Sequence, residues 1–340
     1  MADAAPARLS GLVAGTQALA LVGLAKNTGK TVALAAILAE HAAAGARVGV
    51  TSIGRDGERH DVIDARIDKP SVELQEGDLV ASTGGLLRAS GLAHERLQQT
   101  GVRTPLGEVV LARLEEAGEV EVAGPSAAAD VRAVAERMLE LGAEQVLIDG
   151  AIDRRAASSP AVADGLVMAT GAILSDDIEQ VVDQTRDAVE LVRLPRTSIA
   201  ADALVTLPRR LALTAEPGEI AALLRDRPDA SAFAVDGALS ERFLDGLFAA
   251  RRERAGRELR IVVADPTHVF LTHRPPRWYA RQGIALEVLR TIDLKAITVN
   301  PVAPRSHEFN SQQLRELIEA AVGPVPVLDV LDPSYLALAK

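Results

Sequence analysis

At 340 residues and a net charge of −10, the chain has room for two ordinary domains of about 150 residues, or one large α/β domain with an insertion. It contains no cysteine, which excludes disulfides, zinc–thiolate sites, iron–sulfur ligation and thiol nucleophiles; the acidic balance, with only 2% aromatic residues, argues against nucleic acid as a partner. No apolar run approaches the roughly 18 residues of a membrane span and the N-terminal segment has no secretory pattern, so a cytoplasmic protein without a membrane partner is expected.

Residues 18–22 read as a short buried strand, a glycine-bounded loop follows, and residues 31–44 are helix formers throughout. Gly45 stops that helix and residues 47–52 supply a second apolar strand. The resulting βαβ unit predicts a parallel sheet. Further strands are predicted at 78–82, 119–123, 145–149 and 165–169. Val131, Val134, Ala135, Met138 and Leu139 share one face of a predicted helix over 127–141. Ile178, Val181, Val182, Val189 and Val192 do the same over 176–192.

The texture changes near 195–201, after which α/β elements follow at 232–235, 241–252 and 260–264. Arg274-Pro275-Pro276-Arg277 is expected to break regular structure, and a strand at 296–299 leads into Asn300-Pro301. The expected fold is α/β, a P-loop NTPase with a mostly parallel sheet flanked by helices and an inserted or second α/β subdomain.

Only five lysines occur, and two of them, Lys26 and Lys30, lie in the loop 23–31. Gly29, Lys30 and Thr31 have the core pattern of a phosphate loop. Glycine lets backbone N–H groups turn toward phosphates, and the helix start adds the positive end of its dipole. Lys30 is expected to reach the β- and γ-phosphates, and the Thr31 hydroxyl to hold Mg²⁺. Gly23, Ala25, Lys26, Asn27, Thr28 and Val32 complete the candidate nucleotide contacts. The pattern departs from the common G-x₄-G-K-[ST], because Leu24 stands at the first glycine position and Gly23 lies one residue earlier.

Such a loop needs an acid in the magnesium shell, usually at the end of an apolar strand, and Val146-Leu147-Ile148-Asp149 supplies one. Asp56, in the polar segment after the second strand, sits where a switch or substrate loop faces the γ-phosphate; it is a candidate catalytic and metal-binding residue. Lys26 is a candidate for neutralising developing phosphate charge. Asp149 before Gly150 is also ordinary turn chemistry, and Asp56 and Lys26 equally suit a solvated loop. The six histidines show no metal-ligand spacing, and no histidine metal site is expected.

The string Gly23-x₅-Gly29-Lys30-Thr31 resembles the phosphate loop of the dethiobiotin synthetase and cobyric acid synthase group, which has this longer glycine spacing. Residues 148–151 resemble that group's acidic segment, and residues 296–302 resemble the strand whose terminal Asn reads adenine. The resemblance implies that Asn300 contacts the base and that 325–330 is the following strand. It also implies a nucleotide-binding core over 1–198, an α/β insertion or second subdomain over 199–285, and a return to the core over 286–340. No Lys and Asp follow Asn300-Pro301 as they do where guanine is read, so ATP is favoured while GTP stays open.

A narrower resemblance rests on residues 23–31, 51–58, 69–72, 123–126, 148–154 and 298–304 together. That combination is similar to the P-loop subunit of the lysine 5,6-aminomutase reactivase. The resemblance implies an ATPase working beside a mismatch-repair-type ATPase subunit as a reactivation chaperone. Nucleotide binding and hydrolysis would drive exchange of damaged cofactor in an adenosylcobalamin-dependent aminomutase. Partner contacts are then expected on loops 56–70 and 83–105, and a homodimer paired across its nucleotide sites would let Lys26 act in a neighbour. Two alternatives stay open, an ATP-dependent carboxylate-activating ligase of dethiobiotin synthetase type and a slow nucleotide-binding adaptor. Residues 51–55 contain no Lys where that ligase family holds its carboxylated substrate.

Overall fold

The computed structural model describes residues 8–53, 71–150, 159–214, 216–251, 258–304 and 306–337. Among them no helix is long and apolar enough to cross a membrane. The chain divides into two compact units, Met1–Thr185 with Asp293–Lys340, and Arg186–Ile292.

The first unit is built on a nine-stranded sheet. Its strands are β1 (Ala18–Gly23), β2 (Val48–Ile53), β3 (Leu79–Thr83), β4 (His94–Thr104), β5 (Gly107–Leu114), β6 (Gln145–Gly150), β7 (Gly165–Gly171), β8 (Asp293–Asn300) and β9 (Val327–Leu328). Their spatial order is β9-β8-β7-β1-β6-β2-β3-β5-β4. The run from β9 to β3 is parallel, and β5 and β4 add antiparallel pairings at the other edge. Helices α1 (Lys30–Ala44), α2 (Gly84–Ser90), α3 (Ala128–Glu140) and α5 (Ser311–Val322) lie between its strands, and α4 (Ile178–Val192) begins in this unit and ends in the second.

Parallel strands covered on both faces call for continuous apolar runs, and β2, β3 and β7 are buried along their whole length. Ala33, Leu34, Ile37 and Leu38 of α1 join Leu19, Leu21, Val48, Val50 and Leu147 in one core. Burial of each leucine side chain there contributes about 1.5–3 kcal/mol, so α1 is held by its apolar face and starts where the loop delivers it.

Residues 83–105, expected as a partner-binding loop, are instead α2 followed by β4, which turns at Pro105-Leu106 into β5. The edge strand β4 is mostly polar and half-exposed, so it has no apolar run to betray it, and its charges discourage pairing with another sheet. The strand expected at 119–123 is Gly118–Glu121, and it pairs antiparallel with Ser71–Leu74 outside the large sheet.

The Tyr335 hydroxyl, buried with its ring, ties the chain's two ends to α1. It accepts from the Leu9 amide at 2.9 Å and donates to the buried carboxylate of Glu40, which also accepts from the Ser10 amide. Tyr335→Phe leaves those groups short of a partner, and is expected to cost about 1–3 kcal/mol in chemical denaturation. An unchanged midpoint would count against the tie.

In the second unit, Val205–Leu207, Ala232–Val235, Leu259–Val263 and Ile284–Val288 form a parallel four-stranded sheet in chain order. Its core holds Phe233, Phe243, Leu244, Leu247, Ile261 and Tyr279, so much of the scarce aromatic content is concentrated here. The expected break falls at 271–275, and Pro276 then opens a helix, Pro276–Arg281, with Pro275 as its extended N-cap. Proline suits the first helical position because its missing N–H has no intrahelical acceptor there. Arg274 lies 4.4 Å over the Trp278 ring and pairs with Asp245, which also accepts from the Tyr279 hydroxyl at 2.8 Å.

Glu241 pins the segment before that helix by accepting the amides of Thr272 at 2.9 Å, His273 at 3.1 Å and Arg274 at 2.8 Å. Burial pushes its carboxyl up, but these amides and the His273 ring outweigh that and hold it below the ordinary carboxylate value. A lowered folded-state value means stabilisation that is present above the unfolded value and lost as pH falls through the folded one. Glu241→Gln is therefore expected to lower stability at pH 7 and to flatten the acid side of the stability profile. Denaturation midpoints measured from about pH 7 to about pH 3 read this directly. Superimposable profiles would contradict it.

Candidate functional site

In a parallel sheet the strands end on a common side, and the crevice beyond those ends is where α/β proteins place ligands. At that edge β1 ends beside β6 and β7, with Leu21 in register with Asp149 and Gly23 with Ala169. Asn300, the last residue of β8, is in register with Gly171.

From Gly23 the loop continues the β1–β7 ladder for one more residue, the Leu24 amide donating to the Ala169 carbonyl at 3.0 Å. The buried Thr28 hydroxyl then closes the turn by donating to the Ala25 carbonyl at 3.0 Å. A Cβ on Gly23 would lie 2.5 Å from that hydroxyl, which explains glycine at the displaced position. Asn27, with φ of 67°, is the one non-glycine residue with positive φ among the described residues, and Asn tolerates that conformation better than most.

Gly29 is left-handed as well (φ 87°) and forms the start of α1 without a side-chain cap. The first turn of α1 carries no acidic residue, so no side chain of the helix itself offsets the positive end of its dipole. Lys30 Nζ is ion-paired with Asp149 Oδ1, both side chains being only partly exposed, at 14% and 25%. Thr31 and Lys26 are exposed, whereas the Val32 side chain packs into the core, so only its backbone belongs to the loop.

Asn300 Nδ2 donates to the Asn27 carbonyl at 2.9 Å, and its Oδ1 accepts the Val302 amide at 3.1 Å. The fold thus brings together the loop residues from Gly23 to Thr31, Asp149 and Asn300. Asp56 lies outside the described residues. Ala169 and Gly171 are site-forming residues that sequence reasoning missed. A Cβ on Gly171 would lie 2.2 Å from the Asn300 carbonyl oxygen, and a glycine closing an apolar strand is the readable sign of such close approach.

No protein-family model matches the chain, and no curated protein matches it. Among solved structures it is similar to pNOB8 ParA bound to nonspecific DNA, at 15% identity over 63% of this chain and 76% of that chain, with a TM-score of 0.26. It is also similar to a structure of pNOB8 ParA at 14% identity, over 79% of this chain and 94% of that chain, with a TM-score of 0.27.

Gly23→Ala is expected to displace Thr28 and destabilise the protein by about 1–3 kcal/mol. Gly11→Ala, where nothing lies within 4 Å of the added carbon, should leave the melting temperature unchanged or raise it slightly. Equal melting temperatures for the two variants would refute the steric reading.

Proposed function

We propose that this protein binds Mg-ATP with its triphosphate on the loop 23–31 and hydrolyses it, water attacking the γ-phosphorus to yield ADP and inorganic phosphate. The observation that carries this reading is the uncapped start of α1, opened by left-handed Gly29 and flanked by the Lys30–Asp149 pair. An anion there meets inward-facing amides, a dipole end and a lysine at once.

Lys30 and Asp149 neutralise each other in a partly buried setting. With nucleotide bound, Lys30 would reach the β- and γ-phosphates and the Asp149 carboxylate would be free to hold a metal ion. The Thr31 hydroxyl and the Asp149 carboxylate are oxygen ligands of the kind magnesium takes, and they fit the ion. Bound there, magnesium would neutralise charge on the phosphate oxygens. Lys26, exposed in the loop, is assigned to the γ-phosphate or to a neighbouring copy.

The finer role rests on the sequence strings that resemble the lysine 5,6-aminomutase reactivase subunit. On that reading the ATPase cycle drives release of damaged cobalamin from a client aminomutase, beside a mismatch-repair-type partner.

Calorimetry of purified protein should show Mg-ATP binding that Lys30→Ala abolishes, whereas Asp149→Asn keeps binding and lowers hydrolysis about tenfold or more. Undiminished affinity in Lys30→Ala would sink the phosphate-loop assignment. The client role predicts recovery of an inactivated lysine aminomutase on adding this protein, its partner, ATP and fresh cofactor. Recovery no greater than with the partner alone would remove that role and leave the ATPase reading intact.

A further inference from the structure

We infer that Asn300 is a positioning residue of the phosphate loop, its side-chain N–H holding the Asn27 carbonyl so that the loop stays open for phosphate. The inference rests on the reading that triphosphate binds at 23–31. It gives Asn300 a role that needs no base at all.

The side chain bonds one left-handed residue of the loop and leaves little room for a side chain at the other. Nδ2 donates to Asn27 at 2.9 Å, and the Asn300 Cβ lies 3.2 Å from where a Cβ on Gly29 would stand. Asn27 holds φ at 67°, a conformation that costs a residue with a side chain free energy and that an external hydrogen bond can offset. The carboxamide's orientation is itself fixed, because Oδ1 faces the Val302 amide and a flip would set oxygen against the Asn27 carbonyl.

The support beneath Asn300 is equally tied down. Its backbone runs in register with Gly171, whose lack of a side chain permits the approach. The segment that follows is closed by the Phe309 amide on the Pro301 carbonyl at 2.9 Å and the Ala303 amide on the His307 carbonyl at 2.9 Å. His307 Nε2 in turn lies 3.0 Å from the Ser175 carbonyl. The end of β8 therefore presents one donor to the carbonyl of a left-handed loop residue. A residue that reads adenine turns its amide edge to the ligand, whereas here one N–H and the oxygen are already engaged within the protein.

The test compares two ligands, ATP and inorganic tripolyphosphate, which has no base. Calorimetry of wild type and Asn300→Ala is expected to show affinity falling about fivefold to tenfold for both, with their ratio unchanged. Asn300→Asp keeps the acceptor for Val302 but sets an oxygen against the Asn27 carbonyl, and should lose at least as much. If the Ala variant fails to fold, the Asp variant is read the same way. Adding Asn27→Gly to Asn300→Ala should restore part of the loss, since glycine takes positive φ at little cost. Loss confined to ATP would overturn the inference in favour of base reading, and no loss with either ligand would overturn it outright. Failure of the wild type to bind either ligand would instead overturn the phosphate-loop reading beneath it.

Discussion

Between Gly23 and Gly29 the chain must leave a buried strand and enter a helix while the Thr28 hydroxyl occupies the space that any side chain at position 23 would need. That steric condition explains the displaced glycine, and it leaves the following residues a narrow route. The route passes through left-handed conformations at Asn27 and Gly29 before α1 can begin. Because α1 is anchored in the core by Ala33, Leu34 and Ile37, its start cannot drift to relieve the turn. The left-handed residues and the core packing together fix where the first helical turn begins.

Electrostatics follows from the same placement. The parallel order β8-β7-β1-β6 delivers Asn300, Ala169, Gly23 and Asp149 to one edge, so residues far apart in sequence act on one short loop. Lys30 and Asp149 are too shielded to behave as an ordinary exposed pair, which is typically worth about 0–1 kcal/mol. Each instead holds the other in place, and a ligand offering both a phosphate and a metal ion can replace both halves of the pair.

Much of this was legible in the sequence. The strand before the loop, the helix after it, the strand ending at Asp149 and the strand ending at Asn300 carry apolar runs or periodic faces that few other structures would use. The hairpin over 94–114 was not legible, because an exposed edge strand such as β4 is built from polar residues and shows no apolar run. Pro275 and Pro276 look like a break in either reading, and only the surrounding chain decides whether proline ends a helix or begins one. The contact between Asn300 and Asn27 was equally hidden. It joins positions 273 residues apart and depends on the register of β8 against β7.

The central claim is that phosphate, drawn by the amides of the loop, displaces the internal ion pair. A crystal structure with magnesium and a non-hydrolysable ATP analogue tests it most directly. The account predicts the β- and γ-phosphates within hydrogen-bond distance of the amides of Gly29, Lys30 and Thr31, with Lys30 Nζ moved from Asp149 to phosphate oxygen. Nucleotide bound elsewhere, with the Lys30–Asp149 pair still closed, would contradict it.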